Sequence, residues 1–293
     1  MACSRCDTRG RLLPAYIAAM PFATGLTPIP MTIVPSHHAH AVARLRAVRL
    51  AASAKPFLAR GSGGGRCPCC RLVVSHCLCA LRPVLPTRAG VCLLMGDIEP
   101  LKPSNTGWLV ADVVSDTWAF GWSRTAVHPD LLSLLADLQW QAYLVFPGEF
   151  ADPARVVTEL LPAGLADTEA VDLVTAAAAK RPLFVLLDGT WAESRKMFRK
   201  SPYLDRLPVL SLQPGTASNY RLRRSSRADH FCTAEVAAQC LALAGESQAA
   251  DTLAAYLDVF TAHYLSAKRN LLLDRESEAH QRLRGLAGSP AAA

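Results

Sequence analysis

The feature that most constrains the fold is a series of short apolar runs, each separated from the next by sequence of helical character. Gly90-Val-Cys-Leu-Leu-Met95, Ala142-Tyr-Leu-Val-Phe146, Leu183-Phe-Val-Leu-Leu187 and Val209-Leu-Ser-Leu212 are continuous rather than alternating. Strands read this way when both of their faces are covered. Helical stretches fall between them at about 104–113, 130–138, 153–161 and 168–180, and two longer helices follow at about 233–245 and 249–268. The alternation predicts an α/β domain with a mostly parallel sheet flanked by helices. Leu253, Tyr256, Leu257, Phe260 and Tyr264 recur at helical spacing, the stripe a core-facing helix needs. No GxGxxG follows a strand and no P-loop is present, so no motif supports a dinucleotide fold or an NTPase.

Ahead of these runs, five of the ten cysteines fall between 67 and 79, in Cys67-Pro-Cys69-Cys70-Arg-Leu-Val-Val-Ser-His76-Cys77-Leu-Cys79. Clustering on that scale points to a metal rather than to disulfides, because thiolates two residues apart in a tight turn can face one tetrahedral ion. Cys67, Cys70, Cys77 and Cys79 are the expected ligands, with Cys69 or His76 as substitutes. Four protein ligands leave no open position, which makes the expected ion a structural zinc. Unpaired cysteines fit a reducing, cytoplasmic setting.

Charge is distributed unevenly along the 293 residues and their formal net charge of +7. Residues 1–66 carry nine basic residues and one acid, contain six prolines and end in Gly61-Ser-Gly-Gly-Gly65. They read as a disordered basic N-terminal extension and Gly-rich linker. Four prolines between Leu12 and Val34 argue against a spanning helix, so no membrane partner is expected. The same Arg-rich, acid-poor start also suits an organelle transit peptide. The remainder divides into a Cys-rich zinc-binding segment (67–87), a catalytic domain (88–271) and a C-terminal tail (272–293). Within it, residues 180–227 hold eleven basic residues against three acids, a concentration that favours a polyanionic partner.

The centre of that basic stretch is Leu183-Phe-Val-Leu-Leu-Asp188-Gly189-Thr190-Trp191-Ala-Glu193-Ser-Arg195-Lys196-Met-Phe-Arg199-Lys200-Ser-Pro202. An apolar strand ends on an acid, a glycine permits a sharp turn, and a helix with basic residues at i and i+4 follows. Open α/β sheets bind ligands at the carboxyl ends of their strands, where Asp188 would stand. The residues alone allow a second reading, in which Asp188 caps the helix and Trp191 packs in the core.

At these residues the chain resembles the DTW-domain family of tRNA-uridine aminocarboxypropyltransferases, named for an Asp-x-Thr-Trp motif matched by Asp188-Gly-Thr-Trp191. The cysteine-rich start, Lys102-Pro-Ser-Asn105-Thr106-Gly107, Phe146-Pro-Gly-Glu149, Arg195-Lys-Met and Ser218-Asn219-Tyr220-Arg221-Leu-Arg223-Arg224 occur in the family's order. A second, literal Asp116-Thr117-Trp118 lacks the preceding strand and following basic helix and is read as a decoy. The resemblance covers about 67–265. It implies a SPOUT-like fold and transfer of the 3-amino-3-carboxypropyl group from S-adenosylmethionine to N3 of a uridine in tRNA. In the bacterial branch that uridine lies in the variable loop, and methylthioadenosine is released. It further implies tRNA as the partner, with no obligate protein partner.

Carried over residue by residue, the resemblance puts Asp188, Thr190 and Trp191 in the catalytic set, with Asp188 as general base or as orienter of the uracil edge. It places Asn105, Thr106, Gly107, Asn219, Tyr220 and Arg221 beside the cofactor, and Arg195, Lys196, Arg199, Arg223 and Arg224 on RNA phosphates. Two departures stand out. Cys232-Thr233-Ala-Glu235 replaces Ser-Thr-x-Glu, which weakens an expected capping box. Met95-Gly-Asp-Ile-Glu-Pro100 replaces a more polar, His-containing stretch. The alternatives are a SPOUT-like RNA methyltransferase using the same donor and a non-catalytic zinc-containing RNA-binding protein.

Overall fold

The computed structural model describes residues 40–55, 57–59, 65–160, 180–212 and 231–288. Among the described residues six strands form one sheet, every pair of neighbours parallel: β1 (Gly90–Met95), β2 (Thr117–Gly121), β3 (Trp140–Val145), β4 (Val156–Val157), β5 (Arg181–Asp188) and β6 (Val209–Leu210). Their order is β2-β1-β5-β3-β6-β4, so β5 lies between β1 and β3 and ends on Asp188, opposite Met95. All six residues of β1 are buried, as a strand covered on both faces requires.

The strand period of two divides the core into two layers. Val91, Leu93, Met95, Tyr143, Phe184 and Leu186 face one side, where α2 (Gly107–Val113), α5 (Thr233–Leu243) and α6 (Ser247–Lys268) pack with the cysteine segment. Cys92, Leu94, Leu144, Leu183 and Val185 face the other, against Leu131 and Leu134 of α3 (Pro129–Ala136) and Leu204. All seven residues of α2 are buried, and α6 carries the expected stripe, with Leu253, Tyr256, Leu257 and Phe260 buried.

Four regions differ from the sequence-based expectation. Thr117–Gly121 forms β2, a strand that no continuous apolar run announced. The stretch 153–161 holds a 3₁₀ turn (Pro153–Arg155) and the two residues of β4 instead of a helix. The β-branched pair Val156-Val157 finds a partner in β6, which outweighs weak helical patterning. Most of the helix expected at 168–180 lies outside the described residues. The extension assigned to 1–66 contains a helix, α1 (Ala41–Ala51), packed on the domain. Its apolar anchor is small, Ala41 and Val42, which is why periodicity did not reveal it. Polar contacts fix the rest: Arg46 donates to the Leu101 carbonyl at 2.7 Å, and Arg49 pairs with Asp97 at 2.7 Å. The stretch expected as a C-terminal tail likewise contains α7 (Glu278–Gly288), with His280 and Leu283 buried against the rest of the molecule. Among the described residues, no helix is long and apolar enough to cross a membrane.

Candidate functional site

Asp188 ends the central strand and is 1% exposed. Its two oxygens are held by neutral donors from different parts of the chain, the loop before α2 and the first residue of α5: Asn105 Nδ2 donates to Oδ2 and Thr233 Oγ1 to Oδ1, both at 2.7 Å. The fit around it is tight. A Cβ placed on Gly107 would stand 2.5 Å from Asp188 Oδ2, so only glycine lets the first residue of α2 come this close. Asn105 is fixed in turn, since its Oδ1 accepts from the Trp108 amide at 3.1 Å, and its Nδ2 also reaches Glu99 Oε2 at 3.4 Å. Thr106, buried, accepts from the Ala234 amide at 3.4 Å, which ties the start of α2 to the start of α5.

Glu99 belongs to this cluster although sequence reasoning did not select it. It is 6% exposed and paired with Lys102. Burial, and after it the negative charge of Asp188, push its carboxyl above the usual carboxylate range, against the pull of Lys102. The signal lay in the departure at Met95–Pro100, which carries two acids: Asp97 pairs with Arg49, and Glu99 is the one that accepts from Asn105. Thr233 was also missed as a site residue, because its surroundings read as a helix cap. The cap is present: the Glu235 carboxylate accepts from the Cys232 amide at 2.7 Å, so the helix starts at Thr233 despite the cysteine.

A cleft of about 640 Å³ opens at the carboxyl ends of β3, β5 and β6, where open α/β sheets bind ligands. Phe146, Phe150, Leu187, Gly189, Trp191, Ser194, Arg195, Leu212, Thr233 and Val236 are among its walls. Asp188 is one side chain behind that surface: Thr233, among the cleft's walls, donates its hydroxyl to the carboxylate. Trp191, 39% exposed, stacks on Phe146 at 5.5 Å and 10°. The core packing allowed for Trp191 from the residues alone is therefore not what forms. Nor does Asp188 cap the helix that follows, α4 (Trp191–Arg199). Thr190 does: its hydroxyl accepts from the Glu193 amide at 3.3 Å, and Glu193 accepts from the Thr190 amide at 2.8 Å.

The basic residues of α4 are exposed but do not share one direction. Arg195 lies over the Phe150 ring at 5.1 Å, on the cleft, whereas Lys196 lies over Trp122, just beyond β2, at 5.5 Å. Arg199 donates to the Arg195 carbonyl. Asn219, Tyr220, Arg221, Arg223 and Arg224 lie outside the described residues. The decoy triplet behaves as expected of it: Thr117 and Trp118 begin the edge strand β2, and Asp116 pairs with Arg181.

The sulfurs of Cys67, Cys70, Cys77 and Cys79 lie within 4.8 Å of one another, with Cys67–Cys79 at 3.5 Å, Cys67–Cys77 at 3.7 Å and Cys70–Cys77 at 3.8 Å. Zinc–sulfur bonds of about 2.3 Å in a tetrahedron put sulfurs about 3.8 Å apart, so the four can hold one ion. The Leu78 amide donates to Cys70 Sγ at 3.5 Å, the kind of outer contact that steadies a ligating thiolate. His76 is committed elsewhere, with Nε2 bonded to the Leu271 carbonyl at 3.0 Å, so the four cysteines and neither substitute form the cluster.

A family model for the DTW domain matches residues 64–265, most of the chain. No solved structure matches it.

Proposed function

The chain belongs to the DTW-domain family, the tRNA-uridine aminocarboxypropyltransferases, and from that premise we propose that it moves the 3-amino-3-carboxypropyl group of S-adenosylmethionine to N3 of a tRNA uridine in the variable loop, releasing methylthioadenosine. The donor supplies a sulfonium with three carbon neighbours, and the placement of the nucleophile decides which is attacked. The fold is assigned to the SPOUT class on the same premise. None of the eight cysteines of the described residues is in a disulfide, which supports a cytoplasmic setting.

The observation that carries the reading is Thr233, a residue of the cleft wall whose hydroxyl donates to Asp188 at 2.7 Å. Its proton is spoken for and its lone pairs are free to accept, which suits the N3–H of uridine. As N3 bonds to the terminal carbon of the aminocarboxypropyl group, the carbon–sulfur bond breaks and its electron pair stays on sulfur. The N3 proton passes to Thr233 and the Thr233 proton to Asp188, so the carboxylate serves as general base through one hydroxyl. Asn105 keeps the carboxylate turned towards Thr233. Trp191 and Phe150 offer ring faces to a planar base, and Arg195 with Lys196 and Arg199 meets phosphate. Cys67, Cys70, Cys77 and Cys79 hold zinc as a structural ion.

The test is mass spectrometry of nucleosides from tRNA of cells with and without the gene, repeated with purified protein, donor and tRNA. The 3-(3-amino-3-carboxypropyl)uridine is expected only where the protein is present. A methylated uridine in its place would make the protein a methyltransferase. No product, with no heat of donor binding in calorimetry, would reduce it to an RNA-binding protein.

A further inference from the structure

Arg71 follows Cys70 in the cysteine segment and has a backbone φ of +66°, a region that glycine occupies at least cost and other residues rarely. The turn that imposes it is closed by the Arg71 amide donating to the Cys67 carbonyl and the Cys67 amide donating to the Leu72 carbonyl, each at 2.8 Å. Two sulfurs of the quartet therefore flank the bend that aims this side chain. The side chain is 2% exposed and leaves its own segment. Nη1 donates to the Lys102 carbonyl at 2.7 Å and Nη2 to the Asn105 carbonyl at 3.3 Å, while the guanidinium lies 3.9 Å above the Trp108 ring. Asn105 is the residue whose side chain holds Asp188, and the Trp108 amide is what fixes that side chain. One buried cation thus spans from the metal-ligating turn to both supports of the Asn105–Asp188 contact. Packing alone does not call for an arginine here, since burying a guanidinium is expensive; Nη1 and Nη2 are used on the 102–105 loop, and Nε has no partner among the described residues.

We propose that Arg71 is a positioning residue through which metal occupancy at the cysteine quartet sets the placement of Asn105 and thereby of Asp188. The ion holds the Cys67–Cys70 turn, the turn aims the guanidinium, and the guanidinium holds the carbonyls of the 102–105 loop. In this respect the metal is a condition of the site's geometry as well as of the local fold. The catalytic consequence rests on the transferase reading above, whereas the structural coupling does not.

The experiment compares wild type, wild type stripped by a high-affinity chelator, and Arg71→Lys, which keeps the charge and loses the fork that reaches two carbonyls. Amide hydrogen exchange is read at Asn105, Trp108 and Leu109, together with metal stoichiometry and the kinetics of transfer to tRNA. Arg71→Lys is expected to keep one ion per chain and to exchange faster at those amides. Its kcat should fall about tenfold or more with KM for tRNA unchanged, because the basic face of α4 is untouched. Stripping the wild type should reproduce the exchange change with β1 and β5 unaffected, and stripping Arg71→Lys should add little to it. Wild-type protection in either the stripped protein or a folded Arg71→Lys overturns the proposal, as does a rise spread over β1 and β5. If Arg71→Lys fails to fold, the stripped wild type decides. If the wild type transfers nothing, the transferase reading fails and the exchange measurements still test the coupling.

Discussion

Two aspartates are buried to nearly the same depth at opposite ends of α2, Asp112 at 4% and Asp188 at 1% exposure, and their surroundings differ in kind. Asp112 sits in the last turn of the helix, where the dipole disfavours an anion. It is met by ionisable partners, Arg82 at 2.7 Å and His40 Nε2 at 3.4 Å, and by the Tyr256 hydroxyl at 3.1 Å. These come from the cysteine segment, the residue before α1 and α6, so the carboxylate joins four parts of the molecule. Asp188 lies against the first residue of α2 and receives only neutral donors from Asn105 and Thr233 among the described residues. A carboxylate paired with an arginine has its charge spent on architecture. One held by neutral donors, directly behind a residue of the cleft wall, is placed to act on what enters.

The comparison breaks first at Asp188→Asn. The variant has nearly the same shape, but its amide cannot accept from both Asn105 and Thr233. Turnover is expected to fall roughly 10²–10⁴-fold, the range for a lost general base, with the cooperative melt retained; near-normal transfer by folded protein would remove Asp188 from the mechanism. Asp112→Ala should do the reverse. Leaving Arg82 and His40 without their partner is expected to lower stability by about 3 kcal/mol, measured by denaturant unfolding, while kcat per folded molecule stays within about twofold of wild type. A selective loss of kcat there would erase the distinction drawn between the two acids. Gly107→Ala sharpens it. The added methyl meets Asp188 Oδ2 at 2.5 Å and Leu93 Cδ1 at 3.3 Å, and the strain is expected to be about 1–2 kcal/mol. Because the first atom to move is the carboxylate oxygen, kcat should drop further than the melting temperature would suggest.

The parts of this design legible in sequence were those written in consecutive residues. The run at 90–95 is β1 to the residue, and strand, acid, glycine and helix at 183–199 are β5 and α4. The cysteine quartet was readable from spacing. What escaped depends on residues brought together by the fold. Thr117-Trp-Ala-Phe-Gly121 lacks the continuous apolar character of the other strands, and pairs only because β1 offers it an edge. Glu99 and Thr233 reach Asp188 or its partner from sequence separations that no period encodes. Arg71 was passed over because the cysteines around it explained its segment, and its targets lie more than thirty residues away.

The smallest effect is the titration of Asp112. Burial, against the pull of Arg82 and Arg71, pushes the Asp112 carboxyl up to about 6 from an ordinary 3.8. A raised pKa means that the folded state prefers the protonated form, so the contribution of Asp112 to stability is fully present below 3.8 and is lost as pH rises through 6. Asparagine at this position does not titrate. Relative to Asp112→Asn, the wild type should therefore gain about 1 kcal/mol on going from pH 7.5 to pH 5, even while acid lowers the stability of both through their buried histidines. His263, held down to about 4 by burial, acts in the same sense in both proteins and cancels in the difference. Paired unfolding curves at the two pH values measure it. A difference of the opposite sign would mean that Arg82 and its neighbours hold Asp112 ionised throughout, so that its pairing and not its burial decides its charge.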